Sequence, residues 1–492
     1  MVEISETPNT ERIQDQIAEQ LQVSLGGEHS VGHRADRLYN RLTQTNKTLI
    51  ILDNIWEKLD LRKVGIPQPQ ENQQEFCCKL LLTSREKNVC EIMGASVANI
   101  MEMHTLDDKE ARQLFRARVG DKGQDENIEK RMLKKCGGLP LSIVALADLL
   151  RDQELSMWEE YAIDLQKQFS TSHGAIVGDV NRLTYSILET SYKHIQSEDQ
   201  RKFFMLASLF PFGSSIPVDD MMRYGIGLGL FQHVNNLTEA MKQAKKWADT
   251  LKSSSLLLED EREGHVKIHD VVRASTISLA EKGGDVFMVE AFPRWMKNTT
   301  CQKYTAISLM AGNDHSRLIS SELNFDKLRM LILNGTQPRV IDDTLFQSKM
   351  MNLEVLVIKG IRCECLPESI DQNLKSCLTT LHLVNCDLGD IGWIGELASL
   401  FDLSLSGSIV KELPKAMRKL CRLCVLDLRG CKISTGGIRA KVLLACLNWK
   451  DFMHLMLSKS GLVAYIKVKL RKEVCLWIIV LVMYISMQVL MS

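Results

Sequence analysis

The chain has 492 residues, enough for about three domains. Lys plus Arg equals Asp plus Glu at 61 each, which excludes a nucleic-acid binder driven by net charge, and 45% apolar content excludes a disordered chain. The 14 cysteines have no zinc spacing. Cys421 and Cys424 form a lone C-x-x-C inside a leucine-rich stretch, and the set reads as buried thiols of a reduced protein.

The N-terminal residues have neither signal nor transit character. Val2 to Ser5 reads as a short strand. Asn9 and Thr10 can cap a helix carrying Ile13, Ile17 and Leu21 on one face, and Arg34 to Gln44 is a second helix with Leu38 and Leu42 inward. Strands are expected at Leu49–Asp53, Lys79–Ser84 and near Asn99–Met103. Continuous apolar strands between helices predict a parallel sheet covered on both faces, so residues 1–104 form an α/β unit.

From Leu106 the period becomes helical. Asp107 to Ala111 opens a helix with Leu114 and Phe115 inside, and helix resumes at Ser142–Leu150 after Cys136-Gly-Gly-Leu-Pro-Leu. Residues 105–175 are read as a small helical domain. Residues 176–283 are mostly helical, with a hairpin of Leu256–Glu259 and His265–His269 around Asp260 to Gly264, which suggests a winged-helix unit.

An internal repeat occupies 300–440. Leu378, Leu381, Leu383, Cys386 and Leu388 fit L-x-x-L-x-L-x-x-N/C-x-L, and Leu423, Leu426, Leu428, Cys431 and Ile433 fit it again. Leu400, Leu403, Leu405 and Val410 fit with Ser408 in the polar slot, and weaker copies start at Leu328 and Leu353. These starts lie 22 to 25 residues apart. The pattern predicts a curved leucine-rich-repeat solenoid whose concave strand face is free to bind.

Residues 441–492 form an atypical tail, and the repeats stop without a capping unit. Val474–Leu490 is almost wholly apolar, with Lys467, Lys469, Arg471 and Lys472 before it. About 17 residues is the lower limit for a bilayer span. The expected location is cytoplasmic; the alternatives are a membrane anchor at 474–490, with the basic flank on the cytosolic side, or a non-native tail.

One strand carries the sharpest chemistry. Leu-Ile-Ile-Leu-Asp-Asn-Ile-Trp at 49–56 delivers Asp53 to its C-terminal end, as a P-loop NTPase strand delivers its magnesium acid. No G-x-x-x-x-G-K-S/T occurs in the chain. With Lys-Leu-Leu-Leu-Thr-Ser-Arg at 79–85, Phe203 to Pro211, Gly-Gly-Leu-Pro-Leu at 137–141 and Lys-Ile-His-Asp at 267–270, the sequence resembles the NB-ARC switch region of plant disease-resistance proteins of the nucleotide-binding, leucine-rich-repeat family. The style of the blocks is nearest the coiled-coil type, truncated at the N-terminus; the resemblance covers roughly 1–435.

The resemblance implies a partial P-loop NTPase-like parallel sheet, a helical domain, a winged-helix domain and leucine-rich repeats. It implies ADP or ATP with magnesium as cofactor. Asp53 would face the metal through the nucleotide, Arg85 the γ-phosphate, Pro140 the base and sugar, and His269 the β-phosphate of ADP. Gly138, Leu139 and Asp270 would belong to the structural switch, with Asp270 capping the helix that follows. Asn54 stands where the family has a second acid, so a competent ATPase is not expected. Expected partners are a pathogen effector or guarded host protein through the repeats, or a second receptor copy, and no nucleic acid. The alternatives to an immune receptor are a repeat-based interaction module and a non-functional fragment of a resistance gene.

Overall fold

The computed structural model describes residues 1–4, 8–25, 30–44, 48–67, 78–120, 126–151, 153–171, 179–195, 197–232, 234, 236–291, 302–310, 325–335, 350–360, 362–363, 372–434, 464–468 and 476–480. They fall into two compact units, Met1–His104 and Thr105–Ser492.

The first unit is a parallel sheet with helices. Strands β1 (Val2–Glu3), β2 (Thr48–Ile55) and β3 (Cys78–Ser84) lie in that order. Helix α1 (Thr10–Gln20) starts at Asn9, whose side chain accepts from the Arg12 N–H. Together with α2 (Val31–Thr43) it buries Ile13, Ile17, Leu38 and Leu42 against Val2, Ile4, Ile50 and Leu52. Two expectations are corrected here. The sheet is covered on one face only among the described residues: α1 and α2 share the Ile50 and Leu52 side, and Leu49 and Leu81 stay 59% and 51% exposed. The expected strand at 99–103 is instead a 3-10 turn, Val97–Asn99, followed by extended chain with no ladder partner, which leaves Met101 and Met103 more than 80% exposed.

The second unit begins with a run of helices. After α3 (Lys87–Ile92), still in the first unit, come α4 (Asp108–Val119), α5 (Glu126–Cys136), α6 (Pro140–Leu150), α7 (Leu155–Thr171), α8 (Asp179–Lys193) and α9 (Glu198–Ala207). Helix α4 opens with a full capping box between Asp107 and Glu110. Next are β4 (Ile216–Pro217), α10 (Val218–Gly227), α11 (Leu237–Ser253), β5 (Leu258–Glu259), β6 (His265–Lys267) and α12 (Asp270–Lys282). The hairpin is shorter than expected and gains a third antiparallel strand, in the order β4-β6-β5. One apolar core, including Phe115, Trp158, Phe203 and Trp247, runs through these helices.

The repeats form a seven-stranded parallel sheet. Its strands are β7 (Phe287–Ala291), β8 (Ala306–Met310), β9 (Met330–Asn334), β10 (Val355–Lys359), β12 (Thr380–Val384), β14 (Asp402–Ser404) and β16 (Val425–Asp427). Short strands β11 (Arg362–Cys363), β13 (Asp387–Leu388), β15 (Ile409–Val410) and β17 (Lys432–Ile433) pair in a second parallel sheet. From β9 onward each main strand begins two residues after a repeat start, so the leucines at alternate positions turn to one side. Leu331, Leu333, Leu356, Ile358, Leu381, Leu383, Leu403 and Leu405 fill that core. In the polar slots, the Ser408 hydroxyl donates to Leu383 O at 2.7 Å and accepts from the Cys386 N–H at 2.9 Å. Strands β7 and β8 precede the first repeat the sequence shows.

The opposite face of this sheet is not free. Ala306, Met330, Ile332, Val355 and Val357 belong to the same apolar core as the helices. Helix α10 lies against it, and Gly227 comes so close that a Cβ there would stand 2.4 Å from the Thr380 hydroxyl. The expectation of an open binding face is therefore corrected for these strands: short apolar residues on the outward positions let a helix pack there.

Among the cysteines whose side chains are described, all free thiols, Cys136 and Cys386 are buried and Cys421 is exposed. The apolar 474–490 segment lies outside the described residues except for 476–480, where β19 (Leu476–Val480) pairs antiparallel with β18 (Ala464–Val468). Among the described residues no helix is long and apolar enough to cross a membrane.

Candidate functional site

The first unit holds Asp53 and Arg85. Between Leu52 and Ile55 the β2–β3 register shifts by one residue, because Leu52 pairs with Leu82 but Ile55 with Ser84. Asn54 sits in the bulge at φ +62°, a left-handed conformation that asparagine tolerates better than most residues. Thr83 clamps the bulge. Its hydroxyl donates to the Asp53 carboxylate and accepts from the Asn54 N–H at 2.8 Å. The bulge thus fixes Asp53, half-buried, at the C-terminal end of the central strand. Arg85 follows β3 and lays its guanidinium 4.6 Å from the centre of the Trp56 ring. Thr83 and Trp56 were not singled out in the sequence, although both sit beside residues that were.

The residues present fit the metal half of a magnesium–nucleotide site. Magnesium takes one or two carboxylates and completes its shell with water and phosphate oxygens. Asp53 offers such a carboxylate, and among the described residues no group of three or more His, Cys, Asp or Glu could hold a metal alone. The phosphate half needs a run of backbone N–H groups and a lysine, and this sequence contains no such motif.

Pro140 and His269 lie in the second unit. Helix α5 ends at Cys136, and Gly137 and Gly138 both take positive φ, +57° and +70°. Gly138 O accepts from the Leu106 N–H at 2.9 Å, and a Cβ on Gly138 would stand 2.3 Å from Leu106 O. Leu139 then caps α6, and Pro140 takes its first turn, where a missing N–H costs nothing. The Pro140 ring is exposed. His269 is the N-cap of α12, with Nδ1 accepting from the Val271 N–H at 3.2 Å. Asp270 is the first helical residue rather than the cap, which corrects its expected place. In this tautomer Nε2 carries the ring proton, so a donor remains for a ligand.

A cluster that the sequence reading missed lies between α10 and the repeat sheet. Arg223, 4% exposed, donates to both oxygens of Asp402, with Nε at 2.7 Å, and to Asp427 at 3.3 Å. His382 Nε2 donates to Asp402 at 3.2 Å, and its ring packs 5.3 Å from that of Tyr224. Arg429 and the Ser404 hydroxyl complete the shell of Asp427. Burial pushes the Asp402 carboxyl up, but the Arg223 charge and the hydrogen bonds from Arg223 and His382 outweigh it and hold it well below the usual range. Burial, then the Arg223 charge, lower His382, which keeps it neutral. The signal was present as an arginine inside the apolar run Met221-Met222-Arg223-Tyr224 and as acids at outward strand positions of two repeats.

The first unit is thus a mixed α/β unit with a parallel sheet and an acid at the end of its central strand. Residues 1–125 match the NB-ARC domain family. Similar curated proteins include Disease resistance protein At4g27190 of Arabidopsis thaliana, 28% identical over 86% of this chain and 43% of its own length. Disease resistance protein SUMM2 of the same plant is 27% identical over 85% of this chain and 44% of its own. The chain thus spans less than half the length of these two relatives. A crystal structure of an internalin from Listeria monocytogenes overlaps 30% of this chain and 46% of its own at 16% identity and a TM-score of 0.22, a likeness too slight to bear on function. The chain therefore carries an NB-ARC match over residues 1–125 and is similar along most of its length to plant disease-resistance proteins.

Proposed function

We propose that the chain is a defence-signalling receptor protein in which an NB-ARC region that responds to ADP and ATP is joined to a leucine-rich-repeat solenoid. The observation that carries this reading is one chain with an NB-ARC match at 1–125 and, further on, parallel strands set two residues after each leucine-repeat start. Helices α9 to α12 with β4 to β6 supply the winged-helix part. Asp53 orients the magnesium, Arg85 reaches the γ-phosphate, Pro140 walls the base, and the Nε2–H of His269 rewards a bound β-phosphate. The repeats meet an effector or guarded host protein in the cytoplasm.

As a 492-residue polypeptide the chain holds nucleotide weakly, because the phosphate-gripping motif is absent from its sequence. About three charge-assisted bonds at roughly 1.5–3 kcal/mol each are missing, on the order of 5 kcal/mol. That corresponds to more than about a thousandfold in affinity. Isothermal titration with magnesium and ADP should show no saturation in the micromolar range, and a low-micromolar dissociation constant would contradict it. The defence role is tested in plants lacking the gene: unchanged growth of every challenging pathogen would argue against it.

A further inference from the structure

Trp56 and Arg85 meet because of the bulge. Each follows the end of its strand, Trp56 after β2 and Arg85 after β3. In β2 the buried Ile50 and Leu52 alternate with Leu49, which is exposed. Continued without interruption, that alternation would turn Trp56 inward with Leu52. The extra residue reverses it. From Leu52 to Ile55 β2 advances three residues while β3 advances two, and Ile55 becomes the inward residue, 2% exposed. Trp56 then falls on the side of Asp53. In β3 the exposed Leu81 and Thr83 mark the same side, and Arg85 continues it. One bulge thus sets both the carboxylate and the arginine of the site.

The contact uses the face of the ring. The Trp56 Nε1–H is buried and makes no hydrogen bond. A buried indole N–H usually finds a partner, so the polar edge is not what holds this ring in place. Its face has the Arg85 guanidinium 4.6 Å from the ring centre. Arginine has much rotamer freedom, and a ligand that must order it loses affinity. A ring that already holds the guanidinium removes part of that cost. It does so without using the in-plane N–H groups with which arginine meets phosphate.

We propose that Trp56 is a positioning residue of this site: its ring holds the Arg85 guanidinium on the side that carries Asp53 and thereby favours a nucleoside triphosphate over a diphosphate. This rests on the nucleotide reading above and names the residue that sets the γ-phosphate contact within it.

The test uses the full chain with MgATP and MgADP at millimolar concentration, where weak binding is read from phosphorus NMR relaxation of the ligand. Trp56→Leu should weaken MgATP about two- to fivefold, the worth of one cation–π contact, and leave MgADP unchanged. Trp56→Phe keeps an aromatic face and should lie between the two. In an Arg85→Ala chain, adding Trp56→Leu should change neither affinity. Fluorine NMR of the chain labelled with fluorotryptophan reads the pair without ligand: the resonance lost in Trp56→Phe should move in Arg85→Ala. Equal weakening of both nucleotides in Trp56→Leu, additive effects of the two substitutions, or a Trp56 resonance indifferent to Arg85→Ala overturns the proposal. MgATP binding unchanged in Trp56→Leu defeats this proposal alone, whereas no binding of either nucleotide by the unaltered chain defeats the nucleotide reading and this proposal with it.

Discussion

Arg223 and Asp402, 179 residues apart in sequence, meet as a two-pronged ion pair with both side chains almost wholly buried. The pair joins α10 to the fourth repeat strand from the β9 side. Burying two charges is expensive unless the geometry is good and the remaining lone pairs are satisfied. Here His382 fills one of those positions and Asp427 shares the guanidinium. Arg223→Ala should therefore cost about 3–5 kcal/mol in urea unfolding, because it strands Asp402 without a counter-charge. Arg223→Met with Asp402→Leu, which removes both charges, should cost much less.

The pH dependence of the second unit divides by sign. His382 has its pKa lowered from 6.5 by burial and by Arg223, so the unfolded chain takes up that proton first and stability falls as pH drops below about 6.5. Asp219 is pushed up to about 6, by burial first and also by Asp220, against the pull of Arg223. Its folded pKa exceeds its unfolded value near 3.8, so its charged form weakens the fold above about pH 6 and the fold regains stability as pH falls toward 3.8. Asp219→Asn should be more stable than the unaltered chain at pH 7.5, and that advantage should disappear near pH 4. Thermal unfolding of both proteins across this range checks it.

The geometry of Gly138 shows a folding constraint. Both its φ of +70° and the approach to Leu106 O exclude a Cβ. Gly138→Ala should lose about 2–4 kcal/mol, measured by denaturant unfolding. A variant of native stability would mean that the tight Leu106–Gly138 approach does not form.

Asn54 tests the bulge. At φ +62°, Asn54→Ala should cost about 1–2 kcal/mol and Asn54→Gly much less, while Asn54→Asp keeps the local hydrogen-bonding habit of the residue. Equal losses for alanine and glycine in the same unfolding assay would contradict a left-handed bulge.

The sequence made some of this legible because certain patterns are local. Apolar runs at Leu49–Leu52 and Lys79–Ser84 announce strands, Pro140 announces a helix start, and the spacing of Leu378, Leu381 and Leu383 announces a repeat whose leucines share one side. Other features depend on partners far away in sequence. A short apolar stretch such as 99–103 looks like a strand until, among the described residues, the sheet ends at β3. Outward strand positions look free until a helix lies on them, and nothing local at Asp402 names Arg223. His269 shows a third case: the same ring serves as a helix cap through Nδ1 and keeps a donor on Nε2, and a motif cannot separate the two roles.

Helix α10 occupies the outward face of the repeat sheet. Hydrogen–deuterium exchange on the unaltered chain, read at residues 218–228 and 380–384, tests it most directly. Slow exchange is expected in both segments, with joint acceleration in Arg223→Ala. Rapid exchange of 218–228 in the unaltered chain, with 380–384 still protected, would contradict it.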